Sequence, residues 1–177
     1  KEQAAVLLGF RAPDIFSPDR ATMEILSSIL GSSLNGRLFI KIREELGKAY
    51  TLGASYSPSL DGGLIVFYVL TTNDQVDKVR EILSKELHGL GAAPVSSAEL
   101  NAAKASLKSQ FATEMHTIGQ LTNVTALDEL YGLGYDNYLN YNSKLDAVTP
   151  ENVQKIAGEY LDTAHASWVI VQSSAKE

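Results

Sequence analysis

Arg43 and Tyr50 are the residues whose types and spacing best suit chemistry in this chain. Apolar residues recur at helical spacing around Arg43 and predict a helix with one buried face: Leu34, Leu38, Ile42 and Leu46. Gly47 suits the left-handed position just past a helix end, and the alternating apolar residues after it predict a strand. Arg43 and Tyr50 are therefore expected on either side of a tight reversal. There a guanidinium and a phenol can both donate hydrogen bonds to a carbonyl oxygen.

The same spacing also allows a purely structural role for both residues. An arginine in the last turn of a helix interacts favourably with the helix dipole. A tyrosine at the start of a strand often only packs against its neighbours. On spacing alone, both interpretations stay open.

A longer run around these residues carries a family resemblance. Residues 31–50, Gly-Ser-Ser-Leu-Asn-Gly-Arg-Leu-Phe-Ile-Lys-Ile-Arg-Glu-Glu-Leu-Gly-Lys-Ala-Tyr, resemble a signature of the pitrilysin/insulinase (insulin-degrading enzyme-like) zinc metallopeptidases, in their C-terminal, non-zinc-binding half. The likeness extends to the strand that ends at residues 9–13, the hairpin after Tyr50 and the helix that opens at Ser96. It covers essentially the whole chain.

The resemblance implies a function for the chain and roles for two residues. In this family two homologous halves face each other around a chamber, and the zinc-binding half cleaves an unfolded peptide. The other half closes the chamber and helps to bind the peptide. Arg43 would then donate hydrogen bonds to main-chain carbonyls of the substrate, and Tyr50 would help to stabilise the charge of the tetrahedral intermediate. The alternative within the family is a proteolytically inactive scaffold or assembly subunit.

The chain lacks the residues for a zinc site of its own. Family members bind zinc through H-x-x-E-H on a helix. The three histidines, His88, His116 and His165, have no histidine partner at that spacing, and the chain has no cysteine. We therefore expect no metal in this chain, no peptidase activity from it alone, and zinc in the catalytic partner half.

Composition and charge limit the partners. The chain has 177 residues and a net charge of −6, with acidic and basic residues well mixed. Without a basic stripe, nucleic acid is not an expected partner, and no apolar run is long enough for a membrane span. We expect one domain over residues 1–177, as the C-terminal half of a longer chain. The expected partners are the homologous zinc-binding half (fused or separate), an unfolded peptide and, for the isolated domain, a second copy. By resemblance, the periplasm of a bacterium is favoured over its cytoplasm.

The periodicity along the chain predicts an α+β fold. The expected order, β-α-α-β-β-α-α-α-α-α-β, gives a two-layer sandwich of helices on a four-stranded, mostly antiparallel sheet. The resemblance implies the same architecture, that of mitochondrial-processing-peptidase-like metallohydrolase halves. Five local predictions accompany it. Strands 49–57 and 64–71 form a hairpin whose loop is too long for a two-residue turn, and Asn73 caps the following helix. Gly89 and Gly91 end that helix. Ser96 and Glu99 form a capping box that opens the next, long helix. The tyrosines at 131, 135, 138 and 141 pack between helices.

Overall fold

The computed structural model describes residues 3–31, 36–47 and 51–173. Within these ranges the chain forms four strands and seven α-helices in the predicted order, an α+β fold. The elements are β1 (Ala4–Ala12), α1 (Arg20–Leu30), α2 (Arg37–Leu46), β2 (Thr51–Ser59), β3 (Gly62–Thr71), α3 (Val76–Ala92), α4 (Ser97–Glu114), α5 (Ile118–Leu130), α6 (Tyr141–Asp146), α7 (Pro150–Tyr160) and β4 (Ser167–Gln172). No helix in the described ranges has the length and apolarity needed to cross a bilayer.

The four strands form one sheet in the order β2-β3-β1-β4, and all neighbouring pairs are antiparallel. This confirms the predicted fold class. Alternate residues of the central strands are buried beneath the helices, among them Val6 and Leu8 of β1 and Ile65 and Phe67 of β3. Because successive side chains of a strand point to opposite faces, one face of the sheet supplies the core.

The opposite face of the sheet is also apolar, and it is exposed. Five large side chains on this face are between 38% and 61% exposed: Leu64, Tyr68 and Leu70 of β3, and Val169 and Val171 of β4. An antiparallel sheet with one solvated face normally alternates apolar with polar residues. We call these five residues the outer sheet patch. Exposed apolar patches of this kind mark sites that contact other proteins, membranes or ligands.

The hairpin between β2 and β3 is tighter than predicted. Only Leu60 and Asp61 separate the two strands, and the next residue, Gly62, has a φ of +103°. The prediction of a long loop was wrong because Pro58 continues β2. Proline removes a hydrogen-bond donor, and this loss is tolerated in β2 because β2 is an edge strand.

The two predictions for the ends of α3 were also wrong. A 3₁₀ turn at Asn73–Gln75 precedes the helix, and Asn73 donates its side-chain amide to Ser173 O at 3.1 Å instead of capping it. At the other end the helix continues to Ala92. A Cβ atom at Gly91 would lie 3.2 Å from the Cα of Gly158 in α7. Gly91 therefore allows a close crossing of α3 and α7, and it does not terminate the helix.

Candidate functional site

Arg43 lies where its local sequence predicts, in the last turn of α2. Gly47 follows the helix with a left-handed φ of +57°, and its N–H donates to Arg43 O at 3.1 Å. Leu38 and Ile42 are buried in the core as predicted, whereas Leu34 and the side chain of Leu46 lie outside the described residues. The packing of α2 therefore directs Arg43 away from the core.

The guanidinium of Arg43 lies over the ring of Phe39, 5.2 Å from its centroid. The side chain is exposed, and it forms no ion pair with any residue in the described part of the chain. Stacking on an aromatic face holds a guanidinium through its π-system and leaves its N–H groups at the ring edge available. Arg43 is thus positioned by a neighbour on its own helix, and its hydrogen-bond donors have no partner among the described residues.

Tyr50, the second predicted site residue, lies outside the described residues. The next residue along the chain, Thr51, begins the edge strand β2, as the change of period predicted. The role of Tyr50 stays a prediction.

An ion pair fixes the other end of α2. The guanidinium of Arg37 donates to both carboxylate oxygens of Glu99, at 2.6 and 3.1 Å. Glu99 is also part of the predicted capping box that opens α4 with Ser96. The hydrogen bond from Arg37, and then those from Ser96, lower the pKa of Glu99 from 4.5 to about 2. This contact joins the start of α2 to the start of α4.

A cleft of about 820 Å³ opens beside α2, between α1, β2, α4 and α6. Its aromatic wall consists of Phe39, Tyr56, Phe111 and Tyr141; Tyr68 also lines it, although it projects from the opposite face of the sheet, because its phenol lies over Gly53 of the edge strand. Phe39, on which the guanidinium of Arg43 is stacked, belongs to this wall, whereas Arg43 itself is not among the residues that line the cleft. The volume is in the range of sites that bind small ligands or short peptide segments.

The polar residues of the cleft centre on Glu24. One carboxylate oxygen, Oε1, accepts from Nε of Arg20 at 3.1 Å. The other, Oε2, is buried and accepts no well-aligned hydrogen bond from the described residues, although the phenol of Tyr141 is close enough to interact with the Glu24 carboxylate. Burial, followed by the negative charge of Glu24, raises the pKa values of both Tyr56 and Tyr141 above the ordinary value for tyrosine. Both phenols therefore stay neutral at physiological pH.

The sequence gives little sign of the cluster of Arg20, Glu24, Tyr56 and Tyr141, called the Glu24 cluster below. Its only local signal is the i, i+4 spacing of Arg20 and Glu24, which is common on exposed helices. Tyr141 packs as predicted, stacked on Phe111 with 4.3 Å between ring centroids. The prediction was wrong for Tyr131 and Tyr135, which are exposed.

The described residues contain no group of three or more side chains suited to hold a metal ion. His165 interacts with the carboxylate of Asp162, with 2.7 Å between Nδ1 and Oδ2, on the exposed surface.

Comparison with known proteins identifies the family. The model of the peptidase M16 inactive domain matches residues 1–107. The chain belongs to the M16 peptidase family. The pitrilysin/insulinase resemblance is thereby confirmed, and the chain is an inactive domain of this zinc protease family.

Curated relatives are similar over nearly the whole chain. A zinc protease of Mycobacterium leprae is 26% identical over 99% of this chain and 40% of its own length. A zinc protease of Bacillus subtilis is 27% identical over 97% of this chain and 42% of its own length. The chain therefore spans about two fifths of the length of these relatives.

Solved structures share the fold. A peptidase M16 inactive domain from Pseudomonas fluorescens matches 100% of this chain and 43% of its own, with a TM-score of 0.85 and 18% identity. An inactive peptidase domain from Bordetella parapertussis matches 98% of this chain and 94% of its own, with a TM-score of 0.85 and 19% identity. The second match shows that a chain of about this length has this fold as a unit.

Proposed function

We propose that this chain is the non-catalytic half of a pitrilysin-type zinc metalloendopeptidase. It closes the proteolytic chamber and helps to bind the peptide substrate. The observation that carries the proposal is the state of Arg43: exposed, stacked on Phe39 and without an ion pair among the described residues. The hydrogen-bond donors of this guanidinium are therefore available to carbonyl oxygens of a bound peptide.

Arg43 and Tyr50 act at different stages of the reaction. Arg43 donates hydrogen bonds to main-chain carbonyls of the bound peptide, which exist before cleavage begins. Tyr50 donates to the oxygen that becomes negative in the tetrahedral intermediate. Zinc and the general base are supplied by the homologous half, either in the same chain upstream of residues 1–177 or in a separate subunit. The names of the relatives, zinc proteases more than twice as long, support this division.

A scaffold role is the second candidate, and the outer sheet patch favours it. Its exposed apolar side chains suit permanent association with another protein. The same patch would let the isolated domain form a homodimer at high concentration. Sedimentation of the isolated chain as a strict monomer at high concentration would remove this support.

Two substitutions in the protein paired with its catalytic half separate the candidates. Tyr50→Phe removes one hydroxyl group and keeps the ring, so kcat should fall by about 10²-fold with a smaller change in KM. Arg43→Ala should raise KM as well, since its hydrogen bonds form in the ground state. Lys41→Ala is the matched control, because Lys41 is another exposed cation of α2.

Wild-type kcat and KM in both site variants would contradict the proposal. Arg43 and Tyr50 would then be structural residues, and the scaffold role would be the better explanation. A loss in the Lys41→Ala variant equal to that of Arg43→Ala would mean that general positive charge on α2, and not the position of Arg43, is responsible.

A further inference from the structure

Helix α5 is rich in apolar residues, yet it contributes nothing to the core. None of the residues of Ile118–Leu130 is buried, and the main packing of this helix is against a 3₁₀ turn at Asn137–Asn140. A helix in a globular protein is normally stabilised by burying one apolar face against the rest of the fold. The described residues therefore leave the apolar surface of α5 uncovered.

Five large side chains are exposed where α5 ends and the 3₁₀ turn follows. We call them the α5 patch, and they are between 37% and 76% exposed: Leu127, Leu130, Tyr131, Tyr135 and Leu139. With roughly 200 Å² for a large side chain, they present roughly 500–600 Å² of surface. Soluble monomers rarely expose contiguous apolar patches of more than a few hundred Å². A stable interface needs about 800 Å² from each partner, and the α5 patch supplies most of that area.

Hydrogen bonds hold the chain around the α5 patch in one shape. The N–H of Tyr135 donates to Oε2 of Glu129 at 2.9 Å. The side-chain amide of Asn137 donates to Oδ2 of Asp128 at 3.1 Å. The patch is therefore preformed, and a partner that covers it loses little free energy to the ordering of this segment.

A groove of about 830 Å³ runs beside the α5 patch. Leu133 and Tyr138, which lie between patch residues in the sequence, line it together with Phe16 and Pro18 of the loop before α1. Phe16 is itself exposed. A groove lined by apolar side chains next to an apolar patch is typical of a surface that binds an amphipathic helix.

The described residues form this surface by themselves, because no gap in the described ranges is within reach of it. β4 ends, and β2 begins, at the same end of the sheet as the first residues of β1. Phe16 follows the other end of β1, about 27 Å away, and a run of four residues reaches at most about 14 Å. At the remaining gap the chain returns to its start, since a Cβ atom at Gly36 would lie 2.8 Å from Leu30 O. This gap is at the end of α1 that is remote from Phe16.

The charges around the α5 patch are acidic. Residues 117–143 include three acidic residues and no basic residue: Asp128, Glu129 and Asp136. Among the described residues that line the groove, the two basic ones already have partners. Lys144 donates to Oδ1 of Asn137 at 2.8 Å, and Arg20 donates to Glu24 at 3.1 Å. A partner with a basic rim complements this surface, whereas a second copy of the chain would place like charges against each other.

We infer that the α5 patch and its groove bind an amphipathic helix of a partner protein, with an apolar face bordered by lysine or arginine. The apolar side chains of this helix enter the groove. The rings of Tyr131 and Tyr135 pack against its apolar face and attract the cations at its border. The inference goes beyond the proposed function, because it uses neither Arg43 nor Tyr50.

Binding of a designed helix to the 177-residue chain tests the inference. The probe is a peptide of about 18 residues of leucine and lysine, with the leucines at helical spacing, and the comparison peptide has glutamate in place of every lysine. By calorimetric titration we expect the lysine peptide to bind at least about tenfold more tightly. Tyr135→Ser combined with Leu139→Ser should weaken its binding about tenfold. Leu70→Ser combined with Val171→Ser, which alters the outer sheet patch, should leave its binding unchanged.

Two exposed aspartates separate the position of a charge from the net charge of the chain. Asp136→Asn, beside the α5 patch, should weaken binding of the lysine peptide about threefold. Asp61→Asn, in the turn between β2 and β3, removes the same charge and should leave the binding unchanged.

A measurement on the wild-type chain does not depend on the folding of any variant. In NMR spectra, the backbone amide signals of residues 127–139 should shift on addition of the lysine peptide. Those of residues 64–70, in the outer sheet patch, should not.

Each of the opposite results would overturn the inference. Equal binding of the lysine and glutamate peptides would show that the surface does not select a basic rim. Loss of binding in the outer sheet variant, or amide shifts in residues 64–70 alone, would place the peptide on the sheet. A dimer in sedimentation that the Tyr135→Ser, Leu139→Ser variant abolishes would make a second copy the occupant. None of these results changes the test of the proposed function by the Arg43 and Tyr50 variants.

Discussion

The contact between Arg37 and Glu99 gives the sharpest prediction about stability. In the folded chain the pKa of Glu99 is about 2, against 4.5 for the free group, chiefly because Arg37 donates to it. Without a correction for solvent screening, this pKa difference corresponds to a contribution of about 3 kcal/mol to the free energy of unfolding, at 1.36 kcal/mol per pKa unit. The side chain of Glu99 is 36% exposed. Solvent screening therefore reduces the expected contribution to about 1–2 kcal/mol.

The sign of the pH dependence follows from the lowered pKa. The ionised form is favoured in the folded state, so the contribution is complete above pH 5 and is lost as pH falls through 4.5 toward 2. Glu99→Gln keeps the shape of the side chain and its ability to cap Ser96. We expect it to lower the free energy of unfolding by about 1–2 kcal/mol at pH 7, and by about a quarter of that at pH 2.5.

Urea unfolding of wild type and variant at both pH values measures this difference, and the titration of all other carboxylates cancels in the comparison. Glu81→Gln, whose ion pair is exposed, should cost less than about 0.5 kcal/mol at either pH. A Glu99→Gln penalty that is the same at pH 7 and pH 2.5 would refute the reasoning. The stabilisation would then come from shape and capping, and not from the charge of Glu99.

Three further predictions concern helix crossing, a half-buried phenol and metal. Gly89→Ala should stabilise the protein by about 0.5–1 kcal/mol, because a Cβ atom at this position of α3 meets open space. Gly91→Leu should destabilise the protein by about 1–3 kcal/mol, because the larger side chain forces α3 away from Gly158. Thermal unfolding of the two variants measures the difference. Tyr56→Phe removes the 2.7 Å hydrogen bond to Pro13 O and should cost about 1 kcal/mol in urea unfolding. The isolated chain should hold no stoichiometric zinc after chelation and dialysis; one tightly bound zinc per chain by elemental analysis would contradict this.

Features with local causes could be predicted from the sequence. Ser96 and Glu99 are three residues apart, and their capping box forms as predicted. Gly47 ends α2 in the left-handed conformation because no Cβ opposes it there. The exposure of Arg43 likewise follows from its position off the apolar stripe of α2.

The predictions that failed depend on partners distant in sequence. The local sequence around Gly91 is typical of a helix end. In the structure Gly91 packs against Gly158 of α7, a contact that the local sequence does not indicate. The Glu24 cluster forms only where α1 and α6 meet. No residue spacing within either helix indicates that Tyr141 is a neighbour of Glu24. Pro58 is tolerated in β2 only because β2 lies at the sheet edge, a property of the strand order.

The position of β1 in the sheet has a consequence for synthesis. β1 lies between β3 and β4, so one of its edges pairs with the strand at Ser167–Gln172. At about 5–20 residues per second, a ribosome needs about 8–30 s to make the intervening stretch of about 150 residues. During this time the unpaired edge of β1 is a template for other strands, with apolar side chains on both faces. This edge of the growing chain therefore stays open to aggregation until β4 emerges, and a chaperone that shields β1 acts in this interval.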